Sequence, residues 1–253
     1  MDLGLKGCRA AVTGATKGIG RSIAELLAAE GCHVALCARN AGEVEAAVAA
    51  LAGPEVTVTG RALDVGDREA LTAWVADSAA ALGGLDIVIA NVSALAIGSD
   101  EESWSQEFNV DLMHTVRLVD AAMPFLERSE AAAIVAISSV SGREIDFAAG
   151  PYGTFKAALI HYIQGLAYQL APKEIRANSV SPGNVYFEGG VWNVIKDSNR
   201  ALYDKALSLN PTGRMGKPEE VARAAVFLAS PKATYISGTN LVVDGALTRG
   251  VQL

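Results

Sequence analysis

The sequence contains few of the residues that bind metals or form disulfides. Its 253 residues include only three cysteines and three histidines. An odd number of cysteines without paired spacing does not fit a disulfide framework or a zinc site. We therefore expect buried, reduced thiols at Cys8, Cys32 and Cys37. The histidines stand apart from one another and from other ligand types, so the sequence predicts no metal site and no catalytic histidine.

Clustered positive charge and long apolar runs are also missing. The net charge is −7 and the lysines and arginines are scattered, which argues against nucleic acid as a partner. Apolar runs such as Ala131–Ile137 are far shorter than the ~20 residues of a membrane helix, and the first residues lack a signal-peptide pattern. The sequence predicts a soluble, cytoplasmic protein that contacts no membrane.

A glycine-rich turn follows the first predicted strand. Thr13–Gly20 has the spacing Gly-x-x-x-Gly-x-Gly and leads into a predicted helix over Arg21–Glu30. Gly14 allows a tight turn, Gly18 allows a ligand to approach, and Gly20 allows helix and strand to pack. Backbone N–H groups and the positive helix end then converge where a pyrophosphate can bind. The same triplet also occurs in ordinary strand-to-helix loops.

Predicted strands and helices alternate along the chain. Apolar runs predict further strands at His33–Ala38, Val56–Leu63, Leu85–Ala90, Ile134–Ser138, Ile175–Val180 and Asn240–Asp244. Helices are predicted after Asp67, over Trp104–Leu126, from Pro151 and over Pro218–Leu228. This alternation implies a parallel sheet, either doubly wound or closed into a (β/α)8 barrel. The glycine turn favours a single doubly wound, Rossmann-type sheet with helices on both faces, formed by one domain over residues 1–253.

A long connection over about residues 184–212 interrupts the alternation. It carries Tyr186, Phe187 and Trp192. Long connections in compact domains are usually functional, so these aromatic residues predict an apolar substrate pocket. Core packing would explain the same run.

Tyr152 and Lys156 lie at the start of the helix that begins at Pro151. They are four residues apart and therefore share one helix face. An ammonium group favours a nearby phenolate, so we expect Lys156 to lower the pKa of Tyr152 toward neutrality, with help from a bound oxidised nicotinamide. Such a pair is also common on a solvated helix face.

Three serines follow the fifth predicted strand. Ligands bind at the carboxyl ends of strands in open α/β sheets, so a hydroxyl there can meet Tyr152. Ser138, Ser139 and Ser141 are all placed for this contact. Each also fits an ordinary turn serine, and position alone does not choose among them.

Together these motifs resemble the short-chain dehydrogenase/reductase family. The resemblance rests on Thr13-Gly14-x-x-x-Gly18-Ile19-Gly20, Asn109, Ser139, Tyr152-x-x-x-Lys156 and Pro182-Gly183. Two later stretches, Gly213-Arg214-x-Gly216-x-Pro218-Glu219-Glu220 and Ser237-Gly238-x-x-Leu241-x-Val243-Asp244-Gly245, are similar to the oxoacyl-reductase-like branch. The resemblance spans nearly the whole chain. It implies hydride transfer between a nicotinamide cofactor and a carbonyl or alcohol carbon, with no metal.

The resemblance implies a role for each matched residue. Tyr152 would be the general acid/base, Lys156 would hold the nicotinamide ribose, and Ser139 would hydrogen-bond the substrate oxygen. Asn109 would correspond to the residue that holds a water in the proton relay. The cofactor would contact Gly14, Thr16, Lys17, Gly18, Ile19, Gly20, Arg39, Asp64, Val65, Asn91, Tyr152, Lys156, Pro182, Gly183 and Val185. The substrate would contact Ser139, Ser141, Tyr152, Tyr186, Phe187 and Trp192.

Three stretches depart from the family pattern. Ala90-Asn91-Val92-Ser93 stands in place of Asn-Asn-Ala-Gly, Phe187 replaces a threonine that contacts the nicotinamide amide, and Gly245-Ala246 replaces a frequent Gly-Gly. The first two changes lie where the backbone and side chains would face the cofactor.

The end of the second strand indicates which cofactor is preferred. Enzymes that use NAD usually have an acidic residue there, which binds the ribose 2′-hydroxyl. This chain has Ala38-Arg39-Asn40 instead, and a guanidinium can bind a 2′-phosphate through two hydrogen bonds. Lys17 matches a second basic position of family members that use NADP. We therefore expect NADP(H) to be preferred, with NAD(H) possible; a solvated Arg39 is the alternative.

The predicted substrate is a small, largely apolar carbonyl or alcohol compound. A 3-oxoacyl chain on an acidic carrier protein is the alternative, but Glu130–Ala133 lacks the basic residues that such reductases tend to have there. A dinucleotide-binding regulator without turnover is a hypothesis of another class. The resemblance also implies a homotetramer, with helices around Asn109 and Tyr152 at one interface.

Overall fold

Seven parallel strands form the centre of the molecule. The computed structural model describes residues 2–251, so the ends of the predicted domain, residues 1, 252 and 253, lie outside the described residues. The strands are β1 (Arg9–Thr13), β2 (His33–Ala38), β3 (Val58–Ala62), β4 (Ile87–Ala90), β5 (Ala133–Ile137), β6 (Arg176–Pro182) and β7 (Asn240–Val243). Their order in the sheet is β3-β2-β1-β4-β5-β6-β7. The predicted doubly wound sheet is therefore confirmed.

Helices cover both faces of this sheet. They are α1 (Gly18–Ala29), α2 (Ala41–Leu51), α3 (Arg68–Leu82), α4 (Glu101–Glu107), α5 (His114–Leu126), α6 (Pro151–Leu170), α7 (Val191–Ser198), α8 (Arg200–Ser208) and α9 (Pro218–Ala229). One core contains α1, α2 and α9, and the other contains α3, α5 and α6. Helix α3 begins as predicted, because Asp67 accepts hydrogen bonds from the backbone N–H groups of Glu69 and Ala70.

The central strands are apolar on both sides because both faces of the sheet are covered. In β4 every residue is buried. Ile87 and Ile89 belong to the core on the α1 side, whereas Val88 belongs to the opposite core. This alternation within a continuous apolar run is what a buried parallel strand requires.

Two predicted segments differ from the structure. The helix predicted over Trp104–Leu126 begins earlier and is interrupted, because Phe108–Met113 forms a π-helical turn between α4 and α5. The wider turn rotates the following side chains relative to a regular helix. The predicted loop over residues 184–212 contains α7 and α8, which pack around Trp192, Ala206 and Met215.

Candidate active site

The carboxyl ends of the central strands open into a cleft of about 1680 Å³. This volume exceeds the ~300–1,000 Å³ of a site for one small ligand, so a dinucleotide and a substrate can bind side by side. The predicted site residues that line the cleft are Gly14, Thr16, Lys17, Gly18, Ile19, Arg39, Asp64, Val65, Asn91, Asn109, Ser139, Ser141, Tyr152, Lys156, Pro182, Gly183, Val185, Phe187 and Trp192.

The glycine turn has the backbone conformation that its spacing predicts. Gly14 has a φ of +66° and Gly18 a φ of +56°, in the left-handed region that favours glycine. Gly20 lies behind the cleft, where a Cβ would be 2.3 Å from the Gly14 carbonyl oxygen. The Asn91 side-chain amide donates to that same oxygen at 3.1 Å and to the Thr13 carbonyl oxygen at 3.3 Å. Asn91 therefore links the end of β4 to the turn.

The ring of Phe187 lies against the glycine turn. A Cβ on Gly18 would be 2.5 Å from Phe187 Cζ, and a Cβ on Gly190 would be 2.7 Å from the same ring. Phe187 thus packs between two glycines at the edge of the cleft. Both positions must lack a side chain for the ring to lie there.

Tyr152 and Ser139 meet inside the cleft. Both side chains line it, and Ser139 acts to lower the pKa of the Tyr152 phenol. Ser139 in turn donates to Ser141 Oγ at 3.3 Å, and Ser141 donates to Asp146 Oδ2 at 2.6 Å. Ser138 points elsewhere, because its hydroxyl donates to the Lys156 carbonyl oxygen at 2.9 Å in the interior. The structure thus distinguishes the three serines, which their positions in the sequence did not do.

The net effect on Tyr152 differs from the expectation. Burial raises the pKa of the Tyr152 phenol above its ordinary value, although the Lys156 ammonium and the nearby Ser139 act to lower it. The prediction of a pKa shifted toward neutrality is therefore wrong for the protein alone. Lys156 acts in the expected direction, but desolvation is larger.

Lys156 is buried between β5 and the π-helical turn. Its Nζ donates to the Ile137 carbonyl oxygen at 3.1 Å and lies 2.9 Å from Asp111 Oδ1. Burial lowers the pKa of Lys156, but the Asp111 carboxylate and the Tyr152 phenol more than offset this, so the pKa is raised. Lys156 therefore remains an ammonium group.

Asn109 lies in the π-helical turn and contacts Gly66 and Arg117. Its Nδ2 donates to the Gly66 carbonyl oxygen at 3.5 Å, and its Oδ1 accepts from Arg117 at 2.7 Å. Asp111, two residues later, contacts Lys156. Side chains two residues apart in a helical segment face different sides, so only Asp111 faces α6; the predicted role of Asn109 in holding a water stays a prediction.

A second acidic residue, Glu107, lies beside Asp111. Glu107 Oε1 accepts from the Ala96 N–H at 2.6 Å, and Asp111 Oδ2 accepts from the Ala94 N–H at 2.8 Å. Both side chains are buried. Burial and the Asp111 charge raise the pKa of Glu107 to about 8, whereas the Lys156 charge holds the pKa of Asp111 below its ordinary value despite burial.

Basic residues lie where the second strand enters the cleft. Arg39 and Lys17 both line it. Among residues 2–251, neither side chain has a carboxylate within ion-pair distance. Asn40 caps α2 by accepting from the Glu43 N–H at 3.0 Å. These two cations are therefore available to an anionic group in the cleft.

The aromatic residues of the 184–212 segment separate into two groups. Phe187 and Trp192 line the cleft, and Trp192 contacts Phe147 edge to face with ring centroids 5.7 Å apart. Tyr186 packs against Tyr203 within the α7–α8 cluster and accepts from Asn193 at 3.3 Å. The packing alternative therefore describes Tyr186 in this structure, and its contact with substrate stays a prediction.

Sequence reasoning missed Glu107, Asp111 and Asp146. A signal for the first two was present, because acidic residues four positions apart in a predicted helix share a face and repel each other unless something compensates. Asp146 follows no strand or helix pattern, and only its contact with Ser141 identifies it.

Comparisons with known proteins identify the family. A sequence profile described as enoyl-(acyl carrier protein) reductase matches residues 14–248. Isoepoxydon dehydrogenase patN of Penicillium expansum is 40% identical over 257 residues, covering 100% of this chain and 99% of the relative. Human dehydrogenase/reductase SDR family member 2, mitochondrial, is 33% identical over 245 residues, covering 95% of this chain and 86% of the relative. The chain belongs to the short-chain dehydrogenase/reductase family.

Solved structures of this family share the fold. L-sorbose reductase of Gluconobacter frateurii, complexed with NADPH and L-sorbose, has a TM-score of 0.89 and 29% identity, covering 99% of this chain and 100% of that one. An NADPH-bound short-chain oxidoreductase of Pseudomonas aeruginosa, described as having an atypical catalytic center, has a TM-score of 0.88 and 31% identity, covering 96% and 98%. The similarity therefore extends over the sheet and the cleft.

Two further findings concern the described residues. Within residues 2–251, no three His, Cys, Asp or Glu side chains are grouped so as to hold a metal ion. None of the helices in that range is both long and apolar enough to cross a membrane.

Proposed function

We propose that this enzyme transfers a hydride between NADP(H) and the carbonyl or alcohol carbon of a small substrate. The observation that carries the proposal is that Tyr152 and Ser139 line the same part of the cleft, with the Lys156 Nζ 5.6 Å from the centroid of the Tyr152 ring. A phenol and a hydroxyl that converge on one point can both bind a single substrate oxygen. Membership of a dehydrogenase/reductase family supports the same reaction class.

The residues of the cleft fit a dinucleotide phosphate. The turn from Gly14 to Gly18 lines the cleft at the start of α1, and the N-terminal N–H groups of a helix can bind a pyrophosphate. Arg39 and Lys17 would bind the 2′-phosphate, while Lys156 would hold the nicotinamide ribose. When bound, the cofactor supplies or accepts the hydride. The NADPH in the two solved structures supports this choice.

The protein residues would control the proton. In reduction, the Tyr152 phenol donates its proton to the substrate oxygen, and in oxidation the phenolate takes it back. Ser139 would hold that oxygen, while Lys156 would favour the phenolate. Because burial alone raises the pKa of Tyr152, the positive charge of an oxidised nicotinamide would complete the activation.

The substrate side of the cleft supports a small, largely apolar compound. Trp192 and Phe147 form an aromatic corner there, and exposed Ile145 and Leu95 add apolar surface. Asp146 supplies one polar group through Ser141. Isoepoxydon dehydrogenase and L-sorbose reductase are both named for small-molecule substrates.

A panel of carbonyl compounds tests the proposal. The purified enzyme is incubated with NADPH and free ketones or with a 3-oxoacyl carrier protein, and the absorbance of the reduced cofactor is followed. We expect turnover of at least one free compound at a higher kcat/KM than the carrier-bound chain. Faster turnover of the carrier-bound chain would favour the alternative substrate class, and no turnover of any compound would contradict the proposal.

We further propose a homotetramer of one-domain subunits in the cytoplasm. An exposed aromatic surface supports assembly: Trp104 and Phe108 are 39% and 46% exposed, and both contact Phe155. These residues belong to the segment around Asn109 and to the helix of Tyr152, where the interface is predicted. The buried, free thiols of the three cysteines support a reducing compartment.

A further inference from the structure

The carboxyl groups of Glu107 and Asp111 are buried beside each other. Glu107 is 0% exposed and Asp111 is 1% exposed, and the charge of Asp111 acts to raise the pKa of Glu107. Glu107 lies at the end of α4 and Asp111 in the π-helical turn. Each also accepts one backbone N–H from the segment after β4, at Ala96 and Ala94.

This buried pair requires a proton. Two carboxylates contain only acceptors, so they repel each other unless one of them is protonated. Among the described residues, the buried atoms Glu107 Oε2 and Asp111 Oδ1 have no hydrogen-bond partner. A proton on Glu107 removes this conflict, because the acid then donates to Asp111. Asp111 is the member that stays ionised, since its Oδ1 lies 2.9 Å from Lys156 Nζ.

We propose that Glu107 is a positioning residue that works as a neutral acid, holding Asp111 as the single counter-charge of Lys156 and fixing residues 91–98 over the cleft. The proposal rests on the proposed function only in giving Lys156 a part in cofactor binding and turnover. With one proton shared, the three groups carry one negative and one positive charge. Loss of that proton would add an unpaired negative charge to a buried site, which is costly.

The two carboxyl groups also hold the segment after β4. Leu95 has a φ of +54°, in the left-handed region that an L-residue adopts at a cost. Its two neighbours, Ala94 and Ala96, donate to the two carboxyl groups. The acid pair therefore holds a strained stretch of backbone between Asn91 and the substrate side of the cleft.

The other charged groups that face Glu107 do not remove its need for a proton. On α6, Lys156 and Tyr152 face the pair; the ammonium lowers the pKa of Glu107, but burial and Asp111 outweigh it. On α5, His114 stays neutral because burial lowers its pKa to about 4. Arg117, also on α5, donates hydrogen bonds to Asn109 Oδ1 and to the Gly66 carbonyl oxygen. The segment after β4 contributes only N–H groups at this contact.

A pH profile of Glu107 variants tests the proposal. Because the pKa of Glu107 is about 8, we expect kcat/KM of the parent to fall about tenfold from pH 7 to pH 9. Glu107→Gln keeps the size, the hydrogen bond to Asp111 and the acceptor for Ala96, but it does not titrate. It should therefore retain activity at pH 7 and lose this alkaline decline. Glu107→Ala should lose activity at every pH.

A second readout needs neither substrate nor cofactor. A folded-state pKa raised above the ordinary value near 4.5 gives stability that is present below about pH 4.5 and is lost as the pH rises to about 8. The Tm of the parent should therefore fall relative to that of Glu107→Gln across this window and run parallel above it. A matched control is Glu127→Gln, which removes a surface carboxyl directly after α5 that pairs with Lys173. The Tm difference between this variant and the parent should not vary with pH across the same window.

The two readouts separate this inference from the proposed function. An alkaline decline that persists unchanged in Glu107→Gln, or a Tm difference that does not vary between pH 4.5 and 8, would overturn the role of Glu107. If no compound is turned over, the Tm comparison still decides it, because it measures the shared proton directly. A folded Glu107→Gln protein that is inactive at pH 7 would also contradict it.

Discussion

The ammonium of Lys156 lies 2.9 Å from the carboxylate of Asp111, and both side chains are almost entirely buried. A pair of this kind differs from the surface pairs of this protein because neither partner is solvated. Removing one partner leaves the other as an uncompensated buried charge, which costs more than the pair itself contributes. The contact therefore links the stability of the fold to the electrostatics of the cleft.

Removing Asp111 should destabilise the protein strongly. We expect Asp111→Ala to lower the free energy of unfolding by about 3 kcal/mol, because Lys156 loses its counter-charge and Ala94 loses its acceptor. Glu55→Ala breaks the exposed pair with Lys6 and should cost less than about 1 kcal/mol. Urea denaturation measures both values. Similar losses for the two variants would show that burial does not govern the Lys156 pair.

Tyr152→Phe should abolish turnover with little change in cofactor affinity. The substitution removes the transferable proton and keeps the ring, so kcat/KM should fall at least ~1,000-fold. The Kd for NADPH, measured by fluorescence, should stay within about threefold because the ring keeps its volume. Tyr203→Phe is a matched control in the α7–α8 cluster. Activity of Tyr152→Phe within tenfold of the parent would refute the role of the phenol.

Gly18→Ala should weaken cofactor binding because of Phe187. A Cβ at this position would be 2.5 Å from Phe187 Cζ, and the φ of +56° adds backbone strain of ~1 kcal/mol. We expect the Kd for NADPH to rise at least tenfold. In a Phe187→Ala background the same substitution should cost less, since only the strain remains. Gly53→Ala is the control, because a Cβ there meets nothing within 4 Å. An equal loss in both backgrounds would exclude the ring as the cause.

Trp104 and Phe108 should govern assembly. We expect Phe108→Asp to convert a tetramer to a smaller species in light scattering at micromolar concentration, because a charge would be buried at the interface. Val194→Asp, at an exposed apolar position of α7, is the control and should leave the mass unchanged. A monomeric parent would contradict the proposed tetramer.

Arg39 should determine the cofactor preference. If Arg39 and Lys17 each contribute ~1.5–3 kcal/mol through a charged hydrogen bond, kcat/KM with NADPH should exceed that with NADH at least tenfold. Changing Ala38 to Asp and Arg39 to Leu should move the preference toward NADH, because a carboxylate binds the 2′-hydroxyl and repels a 2′-phosphate. Equal or better kcat/KM with NADH in the parent would show that Arg39 is only a solvated residue.

The order of the seven strands and the edge of the sheet at which the cleft opens follow from the sequence alone. Apolar runs such as Ile87–Ala90 and the glycine turn at Thr13–Gly20 are local patterns, which do not depend on distant segments. Tyr152 and Lys156 lie on one helix, so their spacing was sufficient to bring them together.

Tertiary structure decided what lies around those residues. In the π-helical turn, Asp111 rather than Asn109 lies against Lys156. In the segment after β6, Tyr186 packs against α8, while the ring of Phe187 covers Gly18. These outcomes depend on contacts between segments that are far apart in the chain, which no local period encodes. The direction of a pKa shift likewise depends on burial, which is a property of the packed molecule. For that reason the sequence revealed the pair of Tyr152 and Lys156, and only the fold revealed the buried carboxyl groups of Glu107 and Asp111 behind it.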